Sequence, residues 1–289
     1  MNVLRVCGKL GRTPQAYYKK RKGRQRRAVD ASLAVELALR ERRLQPRLGV
    51  RKVYHLIQDD LAEAGVKIGR DRFFKICGER ELLVPRLRAP YPHTTQSGHC
   101  LPVFGNRVKE QETTGPNQVW VSDLTYLRTG EGYLYLALIT DAYSRKIVGA
   151  HVGDTLEAEG ALAALDQALA GLPKEGRRPI HHSDQGCQYC CHLYVDRLKE
   201  AGLSISMTEA NHCAENALAE RVNGILKDEH GLGYSFATKA QARAAVEQSV
   251  WLYNHRRPHS CLGMEFPARV HAGGGKGRKR QRPAAGRVE

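Results

Sequence analysis

The sequence predicts an α/β protein: a mixed five-stranded sheet with flanking helices, preceded by a basic, wholly helical region. Two observations predict it. From Asn117 onward, β-branched and aromatic runs alternate with helical patterns in the order strand, strand, strand, helix, strand, helix, strand, helix. Before residue 85 only helical spacing is found, with Lys and Arg crowding the polar positions. The expected organisation is a basic helical region over 1–84, a linker over 85–116, an α/β core over 117–270 and a basic tail over 271–289.

Taking the elements in order, residues 3–22 read as a short helix, a turn at Gly11–Pro14 and a second, basic helix. Residues 30–44 carry a helical pattern that ends before Pro46. Val50, Val53, Tyr54, Ile57 and Leu61 recur at helical spacing, and Gly65 closes that helix. Gly69–Asp71 opens another, bearing Phe73, Phe74 and Ile76. Short helices joined by tight turns, with basic exposed faces, suit a helix-turn-helix-like module. The same pattern also suits an ordinary small helical domain. Residues 85–116 hold Pro, Thr and Gly with little periodicity, as a linker does.

In the core, VWVSDLTYL, GYLYLALITDAY and RKIVGAHVG are three strands. The short connections at Gly130–Gly132 and Tyr143–Arg145 favour an antiparallel meander. A helix over 156–170 follows, then the strand RPIHHSD, a helix over 188–201, the strand LSISM and a helix over 215–229. A last helix over 239–254 presents Ala244, Val246, Val250, Trp251 and Tyr253 as its apolar face. The tail HAGGGKGRKRQRPAAGRVE is nearly devoid of apolar residues and is expected to be disordered.

Composition narrows the function. Lys and Arg number 46 against 30 acidic residues, a formal net charge of +16, which favours a polyanionic partner. The excess is concentrated at the ends: residues 1–52 hold 16 basic and three acidic residues. A merely basic, ribosomal-type protein is the bland alternative. No run approaches the roughly 18 apolar residues of a membrane span, and no signal peptide opens the chain, so a cytoplasmic, nucleoid-associated protein is expected. Eight irregularly spaced cysteines do not form a disulfide framework.

Three acidic residues stand out. Asp123 interrupts an apolar strand, where an unpaired charge is costly unless a metal offsets it. Asp184 ends the fourth strand, at the carboxyl edge where α/β sheets place sites. Glu220 lies on a helix whose polar face also carries Asn216, Asn223 and Lys227. Carboxylates are hard ligands for magnesium, and two ions about 3.5–4 Å apart clamp the attacking and leaving oxygens of phosphodiester transfer. Lys227 would face a phosphate along the same stripe, and Asn216 would orient a ligand or touch DNA. Asp141, Asp154 and Asp166 are rivals, and Asp141 also suits a turn cap beside Ser144.

Sixty residues separate Asp123 from Asp184 and thirty-five separate Asp184 from Glu220. The strings NQVWVSDLTYL, YLYLALITDAYSRKIVGAHV, HHSDQGCQY, ENALAERVNGILKDE and YNHRRPHSCLGMEFPARV occur in that order. With LGVRKVYHLIQDDLAEAGVKI, they resemble the second-frame (OrfB) product of insertion-sequence family three, over about residues 48–270. That family belongs to the DDE transposase and retroviral-integrase superfamily, whose core is ribonuclease-H-like. The opening CGKLGRTPQAYYKKRK is also similar to the usual start of such products. Gln185, Cys187 and Glu215 depart from the usual pattern and leave the acidic trio intact.

The resemblance implies Asp123, Asp184 and Glu220 as catalytic metal ligands for Mg2+, with Mn2+ as a substitute, and two ions in all. It implies double-stranded DNA as substrate, both element terminal repeats and target. It also implies a first-frame OrfA partner, sometimes fused by frameshifting, and self-association in the active complex. Lys227 becomes a DNA-contacting partner of the trio. Arg256 and Arg257, presented on a loop by Pro258, and Lys19, Lys20, Arg21 and Lys22 are further candidate phosphate contacts. The alternatives are a catalytically inactive DNA-binding protein of the same fold, or a ribonuclease-H-type nuclease without strand transfer. The crowd of His181, His182, Cys187, Cys190, Cys191 and His192 offers a zinc reading, disfavoured because no second cysteine pair with zinc-site spacing follows.

Overall fold

The structure, a computed structural model, describes residues 3–85, 101–109, 111–173, 175–209 and 216–273. Half of the expected linker (86–100 and 110) and all but residues 271–273 of the expected tail lie outside the described residues. The chain divides into two compact units, Met1–Pro85 and Arg86–Glu289.

The first unit is helical: α1 (Val3–Lys9), α2 (Pro14–Leu44), α3 (Val50–Glu63) and α4 (Arg70–Glu79). Thr13 caps α2 by accepting a hydrogen bond from the Ala16 amide, with Pro14 at the first helical position. The two segments expected on either side of residue 25 are one helix of 31 residues. The intervening stretch contains a single glycine, Gly23, and no proline. One interior glycine costs about 1 kcal/mol, too little to end a helix of good formers. Ala34, Ala38, Leu48, Val53, Ile57, Leu61, Phe73 and Ile76 form this unit's core. Phe74, the neighbour of Phe73 on α4, is 52% exposed.

The second unit is built on β1 (Val119–Thr129), β2 (Gly132–Asp141), β3 (Ile147–Gly153), β4 (Ile180–Ser183) and β5 (Ser204–Met207). Their order is β3-β2-β1-β4-β5. The first three strands pair antiparallel, as the short connections required, and β4 and β5 join β1 in parallel. The helices are α5 (Ala158–Ala170), α6 (Cys187–Cys190), α7 (His192–Glu200), α8 (Ala217–Glu229), α9 (Lys239–His255) and α10 (Pro267–His271). This is the mixed five-stranded sheet with flanking helices of a ribonuclease-H-like core.

Alternation along the strands gives the sheet two apolar faces. Trp120, Ala137 and Ile139 pack against Leu165 of α5 and Tyr194 and Leu198 of α7. Leu127, Leu134, Leu136 and Leu138 pack against Val222, Ile225 and Leu226 of α8 and Val246 and Tyr253 of α9. Each fully buried large side chain contributes roughly 1.5–3 kcal/mol. Helix α5 approaches β3 closely because Gly149 has no side chain: a Cβ there would lie 2.1 Å from the Ala164 carbonyl oxygen. Leu101 and Phe104, within the stretch expected as linker, pack on the core, and the Arg107 amide donates to Ser206 Oγ at 2.8 Å.

Two expectations need correction. The buried face of α9 is Ala242, Val246, Ser249, Leu252, Tyr253 and Asn254, while Trp251 is 56% exposed and stacks on His255. The face turns because Asn254 pairs with both backbone groups of Ile147, each at 2.9 Å, in place of a further strand. The helix expected over 188–201 is two helices, broken at Cys191, whose backbone is extended (φ −66°, ψ 149°).

Candidate active site

The sheet changes its sense of winding between β1 and β4, the place where open α/β sheets gather ligands. Val119 pairs with Ile180, Trp120 with His181 and Val121 with His182, a constant offset of 61 (180 − 119). Asp184 and Asp123 are also 61 apart (184 − 123). The pairing ends at Val121 and His182; extended by two residues, the same offset would align Asp123 with Asp184. Beyond this point β4 ends at Ser183, while β1 runs on to Thr129.

Helix α8 is fastened over β1 by two asparagines. Asn216 Nδ2 donates to the Ser122 carbonyl at 3.0 Å, and Asn223 Nδ2 donates to Asp123 Oδ2 at 2.8 Å. Glu220, in the first turn, lies between them on the same helical stripe and is exposed. Asp123 Oδ1 also accepts from the Leu124 amide at 2.9 Å. Asp184 Oδ1 accepts from the Gly186 amide at 3.1 Å, so the turn into α6 orients this carboxylate.

The electrostatics tie the trio together. Loss of solvent, with the charges of Asp184 and Glu220 acting in the same direction and the hydrogen bonds from Asn223 and the Leu124 amide opposing them, leaves the Asp123 carboxyl raised to about 7. Burial lowers the Lys227 ammonium, while Asp123 pulls it back up. Lys227 Nζ sits 4.6 Å from the centroid of the Tyr126 ring.

A divalent cation fits this donor set. Three carboxylates of like charge are hard oxygen ligands whose mutual repulsion a cation would reverse. The Asn223 Oδ1 atom, buried and without a hydrogen-bond partner, adds an acceptor beside them. As they stand, no three His, Cys, Asp or Glu side chains among the described residues are close enough to hold a metal ion. The trio is an electrostatic cluster rather than a closed coordination shell.

The rival acids have other employment. Asp141 is fully buried and caps the β2–β3 turn, accepting from the Ser144 amide and hydroxyl and from the Asn117 amide. Asp154 forms surface ion pairs with Lys239 and Arg243, and Asp166 pairs with Arg197. His181 and Cys190, beside Asp184, are likewise engaged. His181 Nε2 meets Ser122 Oγ at 2.6 Å and the Tyr194 hydroxyl at 2.9 Å, and burial depresses the imidazole to about 3. Cys190 Sγ packs 3.7 Å from Met207 Sδ.

The expected DNA contacts divide. Lys19, Lys20, Arg21 and Lys22 are exposed along α2, within the basic helix expected there. Lys227 is half-buried beside the trio, and Arg256 is half-buried at the end of α9. Arg257 lies on the loop expected for it but turns inward instead of toward a phosphate: it is 3% exposed, and its Nε and Nη2 make a bidentate pair with Glu229 at 2.8 and 2.9 Å. Its charge is committed inside the core, where α9 is tied to the end of α8. Asn216 is also buried and acts on β1 rather than facing outward. Sequence reasoning placed Asn223 on the polar face of its helix without seeing its bond to Asp123; the signal was its position one turn after Glu220. Nothing local marked Tyr126 as the platform for Lys227.

Residues 113–213 match the family described as "Integrase core domain", and residues 201–267 match a second family with the same description. The chain is 36% identical over 268 residues to an "Insertion element IS600 uncharacterized 31 kDa protein" of Shigella sonnei, covering 91% of this chain and 96% of that one. It is 36% identical over 224 residues to the "Transposase for insertion sequence element IS629" of the same organism, covering 76% of this chain and 72% of that protein. It is 39% identical over 167 residues to "Transposase InsF for insertion sequence IS3A" of Escherichia coli K12, covering 57% and 58%. The chain therefore belongs to the OrfB-like DDE transposases of insertion-sequence family three, within the integrase-core superfamily.

Proposed function

We propose that this chain is a metal-dependent transposase that nicks the ends of its element and joins the freed 3′-hydroxyl to a second phosphodiester. The carrying observation is the offset of the β1–β4 pairing, which equals the separation of Asp123 and Asp184, with Glu220 on the helix that Asn216 and Asn223 fasten over β1. Asp123, Asp184 and Glu220 would hold Mg2+, or Mn2+ in its place, with two ions in the full site. Bound there, the cations would activate the attacking oxygen and stabilise the departing one.

The chain's own groups do the positioning. Asn223 holds Asp123 by one oxygen, leaving the other on the strand side. The Gly186 amide holds Asp184. Lys227, steadied on Tyr126, reaches a phosphate beside the reacting one. In the first step a water oxygen bonds to phosphorus, the P–O3′ bond breaks, and the leaving 3′ oxygen takes up a proton. In the second, that 3′-hydroxyl attacks another phosphorus and loses its proton, while a new 3′-hydroxyl leaves. One phosphodiester is exchanged for another, so joining needs no energy source. The helical unit, with Lys19–Lys22 exposed, and Arg256 add sequence-independent backbone contacts. A first-frame partner would contribute end recognition, and two ends require at least two copies in the active complex.

The test uses the full-length chain with labelled element ends, with and without the first-frame product, in Mg2+ or Mn2+. Nicking and end joining that disappear in Asp184→Asn, while DNA binding persists, are expected. Binding without cleavage, with the partner present, overturns the proposal.

A further inference from the structure

Tyr189 lies on α6, five residues after Asp184, and its place is rigidly set. The Gly186 amide donates to Asp184, and the Tyr189 amide donates to the Gly186 carbonyl at 2.9 Å. The position a Cβ on Gly186 would occupy is bordered by Asp184 Oδ1 at 3.1 Å and by the Tyr189 ring at 3.7 Å. The ring is packed edge-on to Tyr194, with centroids 5.4 Å apart, and is 2% exposed.

The hydroxyl is the anomaly. It is buried and has no hydrogen-bond partner. Tyr194, in the same cluster, pairs its hydroxyl with His181. An unpaired buried hydroxyl lowers stability, and phenylalanine would fill the same space without that cost. Packing alone therefore gives no reason for a tyrosine here. Toward a carboxylate, which only accepts, a phenol hydroxyl donates.

We propose that Tyr189 is a positioning residue whose hydroxyl donates a hydrogen bond to the Asp123–Asp184 carboxylate pair, directly or through one water, in the arrangement that takes a divalent cation. This rests on the reading of that pair as metal ligands. The hydroxyl is unpaired as the carboxylates stand and is satisfied when a cation gathers them. Stability is thereby traded for metal affinity at one atom.

The test compares full-length wild type, Tyr189→Phe, Tyr194→Phe and Asp184→Asn by thermal melting in metal-free buffer and in a Mn2+ titration. Tyr189→Phe is expected to melt at or above the wild-type temperature without metal, and to need several-fold more Mn2+ for half of its thermal shift. Tyr194→Phe, which loses a satisfied bond, is expected to melt lower with an unchanged Mn2+ midpoint. A lower metal-free melting temperature for Tyr189→Phe, or a wild-type Mn2+ midpoint, overturns the inference. Where wild type shifts with Mn2+ and Asp184→Asn does not, that failure belongs to Tyr189 alone. A wild type that shows no Mn2+ shift fails the metal reading itself and takes the inference with it.

Discussion

Asp123→Asn should make the metal-free protein more stable while abolishing its chemistry. Burial and two like charges raise this carboxyl from 3.8 to about 7 in the fold. A carboxyl raised on folding stabilises fully below its unfolded value, and that contribution is lost as pH rises through the folded one. At about 1.4 kcal/mol per unit, the difference of roughly three units makes ionised Asp123 cost on the order of 4 kcal/mol above pH 7. Asparagine carries no charge and keeps a carbonyl oxygen to accept from Asn223. Its advantage over wild type should be small near pH 4, grow through pH 4–7 and level off above. Urea denaturation in chelator at pH 4.5, 6 and 8 reads this directly. A variant less stable than wild type at pH 8, or an advantage independent of pH, would refute the electrostatic reasoning. Added Mn2+ should reverse the order, stabilising wild type and not the variant.

The remaining predictions follow from single interactions. Asn223→Ala removes the hydrogen bond that opposes the upward shift of Asp123, so carboxyl NMR in metal-free buffer should find that group titrating at still higher pH. Arg257→Met takes the guanidinium from Glu229 and should cost roughly 3 kcal/mol in denaturation. It should leave the salt dependence of DNA binding unaltered, whereas replacing Lys19, Lys20, Arg21 and Lys22 by Gln should flatten that dependence, by about 0.9 in slope for each phosphate no longer neutralised. Gly149→Ala forces α5 away from β3 and should destabilise by roughly 2–3 kcal/mol, measured as a lower denaturation midpoint.

The pairing and the helical stripe on which the candidate site rests were legible in the sequence, for a physical reason. The parallel pairing of β1 with β4 has an offset equal to the separation of Asp123 and Asp184, so a count along the chain is also an alignment across the sheet. Glu220, Asn223 and Lys227 share a stripe because helical spacing is local information. The strands were legible because β1 and β2 alternate between two apolar faces. The buried face of α9 was not, because Asn254 is drawn inward by Ile147, 107 residues away. The Arg257–Glu229 pair spans 28 residues and leaves no local mark, so the arginine read as a loop cation. Cys191 breaks a helix with no proline or glycine to announce it.

The central claim is that Asp123, Asp184 and Glu220 close on divalent cations when an element end is seated. Anomalous diffraction from manganese, in crystals of the full chain bound to a terminal-repeat duplex, tests it most directly. The account predicts manganese ligated by oxygens of Asp123, Asp184 and Glu220, with Asn223 still bonded to Asp123. Manganese bound elsewhere, with the DNA end seated and these three carboxylates unligated, would contradict it.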